Sequence, residues 1–168
     1  RTSSSAASDV YKRQIMNKLS FFFLLFYLHV ANVYSDIIKP NTKIEPYNVV
    51  EIQLISLKNN DKPDKDFGIE QTWEFAHPEN KINTGPLNNF KKMLKNEIYS
   101  ILLNHKDHKI EEIYNNKKIA IYDVIILGSD NFYYEFKWQV ERYDGKGSLN
   151  NCWLTTAVSN PVSLGASI

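Results

Sequence analysis

The absences in this chain narrow its chemistry first. It has one cysteine, Cys152, so no internal disulfide can close, although oxidising compartments usually favour paired cysteines. A lone thiol is buried, reactive or paired with another chain, and burial is the plainest reading. Neither sign of charge is in excess, with 20 Lys and Arg against 19 Asp and Glu. Four of those basic residues (Arg1, Lys12, Arg13, Lys18) and one acid (Asp9) precede Asp36, which leaves the remainder close to neutral. Such a balance provides no basic field able to hold nucleic acid by counterion release. The Lys91-Lys92-Lys95 cluster reads as a solvated helix face. There is no nucleotide-binding glycine loop, nucleophile elbow or zinc spacing, and no cofactor is implied.

The first 35 residues divide by composition. Residues 1–15 are mostly small and polar, with no apolar period to bury. They read as a non-native or disordered leader, similar to a translated sequencing-adapter run, ahead of Met16. Residues 16–35 have the order of a signal peptide: basic Asn17-Lys18, an apolar run from Phe21 to Leu28, then small Ser35 at the cleavage position. A membrane-spanning helix needs ~20 apolar residues. Cleavage near Ser35 would therefore leave no stable membrane insertion, with an uncleaved signal anchor as the alternative. The expectation is an exported chain, periplasmic or secreted, that starts at Asp36.

Residues 36–45 form a polar lead-in, and 46–158 read as a single domain. Pro46 suits the first position of a helix, where its missing N–H costs nothing. Tyr47, Val50, Leu54 and Leu57 follow at helical spacing, and Val49, Ile52 and Ile55 widen the stripe. A stripe that wide predicts a helix covered on most sides. Asp61 to Asp66 is a charged loop without the glycine and closing glutamate of a calcium loop. Gly68 to Ala76 predicts a short helix that ends at His77-Pro78. Asn80 to Thr84 reads as a loop, Gly85-Pro86 opens a third helix, and Ile98 to Leu103 adds a further turn or two.

Strands follow. Ile110 to Tyr114 is short. Lys118 to Leu127 is apolar on both faces, as in a strand covered on each side. Phe132 to Tyr143 alternates cleanly, with Phe132, Tyr134, Phe136, Trp138 and Val140 on one face. Leu149 to Val158 gives the last strand, and residues 159–168 read as a patternless tail. Helices followed by an antiparallel meander define an α+β fold: N-terminal helices packed on a curved antiparallel sheet of about four strands.

The segment Phe75-Ala76-His77-Pro78-Glu79-Asn80-Lys81, then Thr84-Gly85-Pro86 and Phe90, resembles F-A-x-P-x-N-R/K-x-x-T-G-P-x-x-x-F. That is the signature of the domain of unknown function 4864 family. Gln53-Leu54, Leu57 and Asn60-Asp61 resemble its Q-L-x-x-L-x-x-N-D block, and Cys152-Trp153-Leu154-Thr155 its closing C-W-x-T. Lys81 stands where Arg is common, and Thr156 where an acid is expected. The resemblance spans about Pro46 to Val158 and implies a cone-like fold similar to nuclear transport factor 2 and the ketosteroid isomerases. That fold hosts binders, enzymes and assembly domains, so it assigns no activity.

The candidate ligand-binding residues are His77, Asn80, Lys81, Thr84, Tyr122, Asp123, Trp138 and Trp153. His77, Asn80, Lys81 and Thr84 could line the mouth of a pocket, with Lys81 on an anionic group; alternatively, they only fix the loop. Trp73, Tyr122, Tyr134, Phe136, Trp138 and Trp153 would suit an apolar ligand, or simply the core. Asp123 interrupts an apolar strand, where a proton-shuttling isomerase would need a carboxylate. His77, His105 and His108 are the acid–base candidates among the histidines, although His105 and His108, three apart in a polar stretch with no third metal ligand, read first as solvated. The favoured reading is a non-catalytic module, monomer or homodimer, that binds a small apolar or anionic ligand or a protein partner. The alternative is a cofactor-free isomerase or dehydratase that uses Asp123 or His77.

Overall fold

The computed structural model describes residues 36–167. The leader and signal-peptide readings lie outside them. Among the described residues four helices come first: α1 (Pro46–Lys58), α2 (Phe67–Glu74), α3 (Pro78–Thr84) and α4 (Leu87–Leu94), then a single 3-10 turn at Ser100–Leu102. Five strands follow: β1 (Asp107–Asn115), β2 (Ile119–Leu127), β3 (Phe132–Arg142), β4 (Trp153–Val158) and β5 (Val162–Ala166). The fold is α+β, with one antiparallel sheet in the order β1-β2-β3-β4 and β5 also on β3. Register shifts in the β1–β2, β3–β4 and β3–β5 pairs bend the strands and curve the sheet. This architecture is compatible with the cone-like type expected. No helix among the described residues is long and apolar enough to cross a membrane.

Helix α1 starts at Pro46 as its sequence dictates and buries Val49, Val50, Gln53, Leu54 and Leu57. Tyr47 and Ile55 stay 41% and 49% exposed, so the apolar stripe is wider than the face in use. The sheet covers α1 on one side and α2 on another, and the third side is wet. Helix α2 crosses α1 at Gly68, where a Cβ would lie 2.1 Å from the Ser56 carbonyl oxygen. Only glycine permits that approach. Asn60 fixes the same junction: its carbonyl accepts from the Gly68 N–H at 2.9 Å and its Oδ1 from the Ile69 N–H at 3.1 Å. The charged loop between these helices is tied to α4, because Asp66 meets Lys95 at 2.7 Å.

Besides β1, which runs for 9 residues from Asp107 rather than the short Ile110 to Tyr114, the structure revises four expectations. Residues Pro78 to Thr84 form a helix, not a loop, since His77 caps it, Pro78 occupies its first position and Gly85 closes it at φ +83°. Strand β2 is covered on one face only: Ala120, Tyr122, Val124 and Ile126 are buried, and the residues between them are half-exposed. Strand β4 starts at Trp153 rather than Leu149, because Tyr143 and Asn151–Cys152 close a turn through backbone bonds. The supposed tail contains β5, which pairs Phe132 with Ala166 and Glu135 with Val162. Val162 and Leu164 are more than half exposed, so β5 has no buried face to produce a readable period. Backbone pairing alone makes it a strand.

The core lies between the helices and the inner sheet face. Its largest members are Trp138, Tyr122, Phe75 and Phe136. One polar network crosses it. Gln53 Oε1 accepts from Trp138 Nε1–H at 3.2 Å and from Thr155 Oγ–H at 2.6 Å. Gln53 Nε2–H donates to the Thr72 carbonyl at 3.1 Å. Removing the amide leaves the buried Thr155 hydroxyl without its acceptor and the Trp138 indole N–H with Thr155 Oγ1 alone, at 3.3 Å. Gln53→Leu should cost about 3 kcal/mol in chemical denaturation, and adding Trp138→Phe should cost less than it does alone. A loss below about 1 kcal/mol would mean that the network is incidental.

A histidine pair closes the lower edge. His105 Nδ1 lies 2.8 Å from the Leu102 carbonyl, which can only accept, so Nδ1 carries the proton. His105 Nε2 then accepts from His108 Nδ1–H at 2.8 Å. Burial pushes the His105 imidazole down to about 4 from its ordinary 6.5. Burial also lowers His108. Between those values the unfolded chain binds the proton and the folded chain does not. Stability should therefore be complete above about pH 6.5 and fall toward pH 4, by roughly 3 kcal/mol at most from His105. His105→Gln should flatten that slope in urea titrations from pH 7 to 4; an unchanged slope would assign the loss to other groups.

Candidate functional site

A cavity of about 260 Å³ opens between the helices and the C-terminal half of the sheet. Trp73, Phe90, Met93, Leu94 and Trp138 are among its apolar lining. Trp73 and Phe90 rest against each other with centroids 5.0 Å apart. Gln53, Thr72, Asn80, Thr84, Tyr99 and Thr155–Thr156 supply its polar groups. Among the described residues, no Asp, Glu, Lys, Arg or His lies on its lining.

Helix α3 forms one side of the cavity and is held to the sheet by Asn80. Both hydrogens of Asn80 Nδ2 are used on β4, donated to the Thr155 carbonyl at 3.1 Å and the Thr156 carbonyl at 2.7 Å. The chain before α3 pairs with the same strand: Thr155 N–H donates to the Phe75 carbonyl at 2.8 Å and His77 N–H to the Thr155 carbonyl at 2.9 Å. The Phe75–Asn80 and Cys152–Thr155 blocks, 75 residues apart between Asn80 and Thr155, therefore meet as one clasp. Asn80, expected either to line a pocket mouth or to fix its own loop, lines the cavity, and its hydrogen-bond partners are remote rather than local. Gln53 and Thr155 are not among the sequence candidates, and Trp73 is there only as one of the aromatics suited to an apolar ligand or to the core. The signal for the first two was present, since Gln53 interrupts an apolar helical face and Thr155 an apolar strand.

Of the eight candidates, Asn80, Thr84 and Trp138 come together at the cavity. The others stand elsewhere. His77 is the α3 cap: its Nδ1 accepts from the Glu79 N–H at 3.2 Å and its ring meets Tyr143 edge-on. Lys81 lies over the Trp73 ring, 5.4 Å from the centroid, and donates to the Glu74 carbonyl at 3.3 Å. Burial pushes its ammonium below the ordinary lysine range. Tyr122 is fully buried under α1, edge-on to Tyr47, and its hydroxyl points to Glu112 at 3.4 Å. Burial, reinforced by that carboxylate, raises its pKa. Asp123 is on the outer sheet face, because the strand period opposes it to buried Tyr122 and Val124; it pairs with Lys137 at 2.7 Å. Trp153 belongs to a separate, more open and polar depression beside Arg142 and Asn115–Lys117. Cys152 is buried as expected, and burial raises its thiol pKa.

Neither proton-transfer candidate, Asp123 or His77, lines the cavity. A general base must come within hydrogen-bond reach of the proton it takes, and the reachable groups here are amides and hydroxyls. The arrangement can surround an apolar body and orient it by neutral hydrogen bonds.

Comparisons of the chain with family models, curated proteins and solved structures each found no match.

Asn80→Ala removes both donors to β4 while it leaves α3 its caps. The variant should lose about 2 kcal/mol, and cleavage within residues 78–86 should accelerate in limited proteolysis. Unchanged stability and cleavage would show that the backbone pairing alone holds the clasp.

Proposed function

We propose that this chain is an exported, non-catalytic domain of the domain of unknown function 4864 family that binds a small molecule in the cavity beside Trp138. The carrying observation is a largely apolar cavity with convergent neutral polar groups and no acid or base on its lining. Concave apolar sites with a few placed polar groups are the usual form of small-molecule sites. The family assignment is supported by the convergence of its motif residues, Phe75, Asn80 and Thr155, on one clasp. The export reading is supported by the basic, apolar and small-residue order of residues 16–35. The isomerase reading is the weaker one, because Asp123 and His77 are engaged with Lys137 and Glu79 away from the cavity.

Native mass spectrometry of the chain purified from an exporting host tests this reading. The expected spectrum has a reproducible extra mass that disappears on denaturation. Cavity-blocking Met93→Trp should remove the extra mass with the fold retained by circular dichroism. A bare protein mass, monomeric or dimeric, counts against binding, and a bare dimer would redirect the reading to assembly.

A further inference from the structure

The cavity also restricts the chemistry of its occupant, an inference that rests on the binding reading above. We infer that the occupant is an uncharged, mostly apolar molecule whose polar end donates a hydrogen bond to Asn80 Oδ1.

The orientation of the Asn80 amide carries this. Its nitrogen faces two backbone carbonyls, of Thr155 and Thr156. Carbonyls only accept, so the reversed amide would set oxygen against oxygen and is excluded. The free group is therefore the acceptor, Oδ1. It has no donor among the described residues, and every fully buried side-chain polar atom among them has a partner. Asn80 Oδ1 is thus reachable from open space, on a residue that lines the cavity. Thr84 lies four residues on, on the same face of α3, and also lines the cavity. Its hydroxyl is likewise without a partner among the described residues. Both residues line the cavity that Trp73, Phe90 and Trp138 also line, and each has one side-chain oxygen free for an occupant.

Charge on the ligand is disfavoured with either sign. An anion would meet Asn80 Oδ1 with no cation on the lining, and a buried unpaired charge is costly. Lys81, the cation assigned by sequence to an anionic group, is engaged over Trp73 and on the Glu74 carbonyl instead. A cation would find no carboxylate on the lining and would face Trp73, whose ring already carries the Lys81 ammonium. A neutral hydroxyl or N–H satisfies Oδ1 without these penalties.

Three probes of one shape test the inference: 4-propylphenol, 4-propylanisole and 4-propylbenzoate, titrated calorimetrically into the exported protein. The phenol keeps a donor, the anisole has none, and the benzoate is an anion. The phenol should bind about tenfold tighter than the anisole, the worth of one well-made hydrogen bond. The benzoate should bind at least about tenfold weaker than the phenol. Met93→Trp should abolish phenol binding; if that variant does not fold, Ala157→Trp fills the same cavity from its exposed side. Equal binding of phenol and anisole overturns the donor requirement. Benzoate binding as tight as phenol overturns neutrality while the binding reading stands. Failure of all three to bind, or binding untouched by the cavity-filling variants, overturns this inference, and the native-mass measurement separately decides whether the cavity holds anything.

Discussion

The indole N–H of Trp138 sits in a core where its residue is 1% exposed, and a buried donor without a partner is costly. Gln53 and Thr155 meet that need, and much of the molecule follows from it. Gln53 can reach Trp138 only if α1 turns its Val50–Leu54 face toward the sheet. Thr155 can join only if β4 lies beside β3 with Val140 opposite Thr155. The other end of the Gln53 amide reaches the Thr72 carbonyl and so sets α2 against α1. One amide therefore relates two helices and two strands, and apolar packing fills the space around it.

The cavity is a product of the same arrangement. Helix α3 cannot follow α2 onto the core because Pro78 and Gly85 confine it to 7 residues. It is held at the edge of β4 by Asn80 instead, which leaves room between α3, α4 and the sheet. The residues that face this space are aromatic, aliphatic or neutral polar. The chain has ionisable groups close by in sequence, and the fold sends each to other work: Lys81 over a ring, His77 to a helix cap, Asp66 to Lys95. A neutral cavity in a chain that is 23% charged is therefore the outcome of placement rather than composition.

Legibility differed by element for physical reasons. Strand β3 was plain in sequence because one face is buried and the other wet, and the period of two records that contrast. Helix α1 was plain because Pro46 marks its start and its apolar residues recur on the buried face. Strand β5 left no mark, since its side chains are exposed on both faces and only its backbone is satisfied. The clasp was half legible: its motif blocks stood out, but no local pattern says that Asn80 will bond a strand more than 70 residues away. Asp123 misled because a carboxylate in an apolar strand looks catalytic until the strand's facing is known.

By itself, the sequence determined that helices precede strands, the burial of the single thiol, the antiparallel β1–β4 meander and the α+β class, because these depend on local propensity and on which residues avoid water; helix α3 and strand β5 were not among them. Only the tertiary structure decided which side chains share the cavity, which carboxylate faces outward, and which end of the Asn80 amide remains free. Those outcomes depend on bonds between segments far apart in the chain, and a one-residue change of strand facing would reverse them.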